Sequence, residues 1–154
     1  MILSGHTIKR LGIIEPHLPR TLEPNTGTTF GQSVAGYDIR LDQSRWLVQG
    51  RTVLGSSMEY FRMPKNVVGI VHDKSTWARR GVFVQNTVIE PGWHGFLTLE
   101  LTFNPLLLEE EQERIERAQT HTESVTVLRG RLVKGSPIAQ VVFHYVDEET
   151  EGYG

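Results

Sequence analysis

Strict two-residue alternation along Phe96-Leu97-Thr98-Leu99-Glu100-Leu101-Thr102-Phe103, a second alternating run at Tyr37-Asp38-Ile39-Arg40-Leu41, and short apolar runs punctuated by Gly and Pro from Gly36 onward predict an all-β fold, a barrel or sandwich. The first run places Leu97, Leu99, Leu101 and Phe103 on one face and Thr98, Glu100 and Thr102 on the other, so a carboxylate sits in mid-strand.

Ser4 precedes Thr7, Ile8 and Leu11 and can cap a short helix over residues 5 to 11, which Gly12 ends. A brief strand follows and stops at Pro16. Residues 16 to 36, rich in Pro, Gly, Thr and Asn and without periodicity, read as loop. Strands are expected at Tyr37–Leu41 and Arg45–Val48, near Met58–Phe61, and at Val67–Val71. One or two helical turns at Ser75–Arg80 come next, followed by strands at Val82–Val84, Thr87–Ile89 and Phe96–Phe103. The pattern breaks at residues 105 to 124, where strong helix formers and the i,i+4 pairs Glu110/Arg114 and Glu113/Arg117 describe a charged helical insertion. That insertion is either a solvated surface element or a docking element for a partner protein. Strand pattern resumes at Val125–Leu128 and ends with Ala139–Val146. The acidic tail from Asp147 to Gly154 is expected to be mobile unless something ties it down.

A length of 154 residues and a mass of 17.5 kDa fit a single domain spanning 1–154, long enough to bury a core without staples. The net charge of −2, with no basic stripe, argues against DNA or RNA polymers as partners. The absence of cysteine removes disulfides, thiolate nucleophiles and Cys-bearing zinc sites from consideration. With no long apolar run and no signal-peptide pattern, a soluble cytoplasmic protein that does not enter membranes is expected. The six histidines are dispersed, none in H-x-E or H-E-x-x-H spacing, and no metal-ligating set is read. Neither G-x-S-x-G nor a Walker loop is present.

Three features point to chemistry. Lys74, Ser75 and Arg79 gather where a helix begins and can converge on an anion such as phosphate; alternatively Ser75 or Asp73 is an N-cap and the cations are solvated. Glu90 stands before the Pro91-Gly92 turn, as a site residue or a turn residue. Glu100 is either a functional carboxylate or a solvent-facing strand residue.

Taken together these residues resemble the deoxycytidine triphosphate (dCTP) deaminase branch of the dUTPase-like superfamily. Met1-Ile2-Leu3-Ser4 with Ile14-Glu15-Pro16 is similar to that branch's start, and Gly36–Leu41 to its S-x-D-x-R-L segment. Lys74-Ser75-Thr76-Trp77-Ala78-Arg79-Arg80-Gly81 resembles its R-S-S-L-A-R-x-G helix. Ile89-Glu90-Pro91-Gly92-Trp93-x-Gly95 with Thr98-Leu99-Glu100 resembles its I-D-P-G-W-x-G…L-E block, and Pro137–Phe143 its late strand. The likeness spans nearly the whole chain outside 105–124.

The resemblance implies a distorted jelly-roll, a dUTPase-like β-barrel, assembled as a homotrimer with sites shared between subunits. It implies conversion of dCTP to dUTP and ammonia, with Mg2+ arriving on the triphosphate and no zinc. Glu100 becomes the general acid/base, with Ser75 and Arg79 as its catalytic companions holding phosphate. Lys74, Thr87, Val88, Glu90, Trp93 and Gln140 join them in binding substrate. Lys74 replaces an Arg, which keeps the charge and loses the planar fork. Glu90 occupies the place of an Asp that faces the sugar and that aids diphosphate release in bifunctional members.

The chain also departs from the branch. Between Gly81 and Pro91 the deaminases carry a longer segment, typically containing T-A-H-R, whereas this chain matches the shorter dUTPase hairpin. Phe83 stands where dUTPases place the Asp that activates water, and the tail ends at Tyr153-Gly154, short of the lid both branches use. Two further readings follow: a dUTP or dCTP diphosphohydrolase, alone or combined with deamination to give dUMP, and a non-catalytic nucleotide-binding regulatory trimer that engages a partner through 105–124.

Overall fold

The computed structural model describes residues 1–105 and 129–154; the helical reading of 105–124, apart from Pro105, and the strand reading of 125–128 lie outside them. The Ser4 hydroxyl accepts the Thr7 amide at 3.2 Å and caps α1 (Gly5–Arg10), which Gly12 closes in the left-handed conformation at φ 63°. β1 (Ile14–Glu15) follows.

The expected loop at 16–36 instead contains a hairpin of β2 (Thr21–Glu23) and β3 (Thr28–Ser33). Its turn is made by Glu23, whose carboxylate accepts the Thr26 amide at 2.7 Å and whose carbonyl accepts the Gly27 amide at 2.9 Å, with Gly27 at φ 69°. Only Gly31 of β3 is buried, so the strand shows no apolar alternation.

The remaining elements are β4 (Gly36–Arg40), β5 (Arg45–Val48), β6 (Thr52–Arg62), β7 (Val67–Asp73), α2 (Ser75–Ala78), β8 (Val82–Val84), β9 (Val88–Ile89), β10 (His94–Phe103), β11 (Arg129–Leu132) and β12 (Pro137–Tyr145). All named strand pairs are antiparallel. They form a four-stranded sheet in the order β1-β6-β10-β8, a six-stranded sheet in the order β2-β3-β4-β12-β7-β9, and the pair β11-β5. Tyr37, Ile39, Val71, Val141 and Phe143 from one large sheet and Phe61, Leu99 and Leu101 from the other belong to a single buried cluster. Two-residue alternation on each strand sends these side chains to the shared interior. The all-β expectation therefore holds.

Two charged pairs sit inside this frame. Glu59 is fully buried on the inward face of β6; its carboxylate accepts the Arg40 Nε at 2.9 Å and the Arg40 amide at 3.0 Å. Loss of solvent pushes its pKa upward, against the opposing pull of Arg40. Lys74 Nζ donates to Asp38 at 2.7 Å and to the Thr29 carbonyl at 3.1 Å. The two charged residues of the Gly36–Leu41 segment thus each have a partner within the chain.

The tail expected to be mobile is tied down. Lys65 O accepts both the amide and the hydroxyl of Thr150, at 3.0 and 2.6 Å, and Pro91 O accepts the Tyr153 amide at 2.7 Å. Gly92, at φ 82°, lies so near Gly152 that a Cβ there would stand 2.8 Å from the Gly152 Cα. Among the described residues no helix is long and apolar enough to cross a membrane.

Candidate active site

β10 carries the central residue. Leu97, Leu99, Leu101 and Phe103 are buried, while Thr98 is exposed and Glu100 and Thr102 are partly buried on the outer face, as the alternation requires. Opposite Leu97, β6 inserts extra residues between Tyr60 and Ser56. Ser57 holds this bulge: its hydroxyl accepts the Leu97 amide at 2.9 Å and donates to the Glu59 carbonyl at 2.7 Å. A bulge re-aims the side chains around it, and this one lies between Phe96 and Thr98, at the edge of a cleft.

The cleft has a volume of about 260 Å³ and is lined by Thr87, Val88, Glu90, Trp93, Phe96, Leu97, Thr98, Glu100 and Tyr153, with Ile89 beneath. Five of the sequence-predicted residues meet there: Glu100, Thr87, Val88, Glu90 and Trp93. The Thr87 hydroxyl lies 3.5 Å from Glu100 Oε2 and 3.4 Å from the Gln85 carbonyl. The Gln85 amide donates to the Glu100 carbonyl at 3.0 Å, which couples the β8–β9 connection to the strand carrying the acid. No cation pairs with the Glu100 carboxylate among the described residues. It is thus open to a ligand, with aromatic rings and a hydroxyl beside it.

The other predicted residues lie elsewhere in the chain. Trp77 anchors the short helix α2: it is buried, and its indole N–H donates to the Pro137 carbonyl at 2.5 Å. Ser75 and Arg79, one turn apart, are both exposed, and neither lines the cleft. Neither Ser75 nor Asp73 caps α2, since Lys74 occupies the N-cap with no side-chain capping bond and Asp73 instead accepts the Val84 amide at 2.5 Å. Lys74 points to Asp38 rather than to solvent. Gln140, partly buried on β12, pairs with Asp38 on one side and His72 on the other.

Sequence reasoning missed five cleft residues, of which Ile89 and Leu97 are buried members of the core that also line the cleft. Phe96 and Thr98 share the outer face of β10 with Glu100, so the alternation that singled out Glu100 would also have found them. Tyr153 reaches the rim through the backbone bonds of the tail, which leave no trace in residue types. Among the described residues no group of three or more His, Asp or Glu side chains is arranged to hold a metal ion.

A family model described as dCTP deaminase-like matches residues 37–117. A dCTP deaminase of Albidiferax ferrireducens is 37% identical, the alignment covering 97% of this chain and 88% of that one. Among solved structures, the 2'-deoxycytidine 5'-triphosphate deaminase of Agrobacterium tumefaciens superposes with a TM-score of 0.64 at 14% identity, over 94% of this chain and 48% of that one. The chain thus spans about half the length of that enzyme. A dUTPase variant from phage phi11 of S. aureus, which coordinates a structural Mg(II) ion, superposes with a TM-score of 0.59 at 14% identity, over 88% of this chain and 95% of that one. These superpositions give the fold as the dUTPase-like distorted jelly-roll. With just over half of its residues inside the family model and a 37% identical relative along almost its whole length, this chain belongs to the dCTP deaminase-like family.

Proposed function

We propose that the protein deaminates dCTP to dUTP and ammonia as a single-domain, cytoplasmic homotrimer, with Glu100 as the proton carrier. The observation that carries this reading is the cleft in which Glu100, without a cationic partner among the described residues, faces Thr87, Glu90 and Trp93. It has room for a pyrimidine ring, and its aromatic walls suit a flat base with the sugar toward Glu90.

In this mechanism the Glu100 carboxylate takes a proton from water as the oxygen attacks C4 of cytosine, and delivers that proton to N3. The tetrahedral intermediate then passes its hydroxyl proton through Glu100 to the amino group. The C4–N bond breaks, ammonia leaves, and C4=O forms. Thr87 orients Oε2 through its hydroxyl, and Val88 and Trp93 pack the base and sugar.

Ser75 and Arg79 are exposed and do not line this cleft in their own chain, and a threefold assembly would present them to a neighbour's cleft, where they grip phosphate. Lys74, held by Asp38, and Gln140 beside it support that segment from below. Magnesium travels on the triphosphate, and no step above depends on it. The mechanism uses no zinc.

A diphosphohydrolase reading is favoured by one feature, the short β8–β9 connection, yet Phe83 offers no base there and lies outside the cleft. Chromatography of products from dCTP and from dUTP separates the two readings. Ammonia with dUTP is expected from dCTP, whereas monophosphate with no ammonia would overturn the proposal in favour of phosphohydrolysis.

A further inference from the structure

A second cavity of about 370 Å³ lies at the junction of α1, the segment before β2, and β3, and is lined by Ser4, His6, Arg20, Gln32, Ser33 and Val34. It shares no lining residue with the Glu100 cleft. Gly5 makes the junction possible, because a Cβ there would stand 2.2 Å from the Ser33 carbonyl oxygen and 2.5 Å from Gln32 Cγ. Any side chain at this position would push α1 off β3 and open the cavity, so its shape depends on a residue flanked by two of its lining residues.

Its polar surface is mainly one of donors. Arg20 is exposed and has neither an ion pair nor a hydrogen bond among the described residues. The Ser33 hydroxyl is buried without a partner. Gln32 is oriented from behind: its Oε1 accepts His17 Nε2 at 2.9 Å, and the His17 ring is set against Tyr37 at 5.1 Å between centroids. With the amide oxygen so engaged, the Gln32 NH2 is left to donate elsewhere. His6 adds a ring N–H at the rim, and Ser4 Oγ is already used as the α1 cap. A guanidinium, an amide N–H and an imidazole around one hollow, with the unpartnered Ser33 hydroxyl buried behind its wall, suit a tetrahedral oxyanion.

The geometry points to a phosphate-binding site at Arg20, Gln32, Ser33 and His6, separate from the proposed substrate cleft. Its occupant is either free phosphate or pyrophosphate, or the phosphates of a second nucleotide.

Isothermal titration of the full chain with pyrophosphate and with dCTP tests this, using wild type, Arg20→Gln and Arg79→Gln. The exposed Arg20 is replaced without touching the core, and far-UV circular dichroism checks that the fold persists. Pyrophosphate affinity is expected to fall about tenfold or more in Arg20→Gln and to hold in Arg79→Gln, since one charge-assisted contact is lost only in the first. Two dCTP bound per chain in wild type and one in Arg20→Gln would assign the site to nucleotide-borne phosphate. One dCTP in both, with pyrophosphate binding still dependent on Arg20, would assign it to the free anion. Equal pyrophosphate affinity in Arg20→Gln and wild type, or dependence on Arg79 alone, overturns the site and leaves the deaminase proposal intact. Ser33→Ala provides a second check, with a smaller loss expected in the same direction.

Discussion

Replacing Arg40 by methionine removes the guanidinium that meets Glu59 but keeps most of the side chain's bulk, so the perturbation is electrostatic. Glu59 is fully buried and Arg40's side chain is 15% exposed, so solvent cannot easily replace the lost partner. The carboxylate keeps the Arg40 amide, at 3.0 Å to Oε2 and 3.3 Å to Oε1. Breaking a buried pair from one side costs about 3–5 kcal/mol, a large part of a typical domain's ~5–15 kcal/mol. For a chain of this length that corresponds to a Tm loss of about 6–20 °C.

The pH dependence has a definite sign. Burial raises the Glu59 pKa above its unfolded value, so the folded state retains a proton that the unfolded state releases. The stability this contributes is present below the unfolded pKa and is lost as pH rises through the folded one. Arg40 opposes the rise, so its removal lifts the folded pKa further, and the deficit of Arg40→Met shrinks toward acid. Urea denaturation of both proteins across the carboxylate range and up to neutrality measures it. A deficit below about 1 kcal/mol at neutral pH, the scale of an exposed pair, or one that grows toward acid, would refute the reasoning. Adding Glu59→Gln to Arg40→Met is expected to recover much of the loss, since the buried charge disappears with its partner.

Two further predictions concern assembly and the tail. If each site joins Glu100 of one subunit to Arg79 of another, Glu100→Gln and Arg79→Gln are each inactive alone. Equal co-refolding then restores about a quarter of wild-type turnover, the share of interfaces that pair two intact residues; no recovery on mixing would place both residues in one subunit's site. Gly92→Ala introduces a Cβ 2.8 Å from the Gly152 Cα and 2.9 Å from the Tyr153 nitrogen, at a positive φ that alanine avoids. The Tyr153 amide is expected to lose its bond to Pro91 and exchange hydrogen about fivefold faster or more, for a bond of ~1 kcal/mol. Unchanged exchange at Tyr153 would show that the tail is held by other contacts.

Where side-chain chemistry follows chain direction, the sequence was readable. Alternation along β10 located Glu100 and its buried neighbours, and the Ser4 cap marked the start of α1. The β2–β3 hairpin escaped notice because Thr28, Thr29, Gln32 and Ser33 show no apolar face, and its turn chemistry resembles that of a loop. Glu59 escaped notice because its alternation with Ser57 and Phe61 puts a charge on an inward face, where apolar residues are expected, and its partner Arg40 is remote in sequence. The cluster of Lys74, Ser75 and Arg79 was evident, but Asp38, which engages Lys74, lies on β4 with three strands between them in the chain, and sequence adjacency does not say which side of the barrel α2 faces. The docked tail rests largely on main-chain hydrogen bonds, which any sequence can make.

The most direct test of Glu100 as proton carrier is ammonia release from dCTP by Glu100→Gln, with dCTP affinity measured on the same preparation. Glutamine keeps the shape and one acceptor oxygen but cannot take up and return a proton. The account predicts a fall in turnover of about 10²- to 10⁴-fold or more with dCTP affinity within about tenfold of wild type. Wild-type turnover in that variant would contradict it.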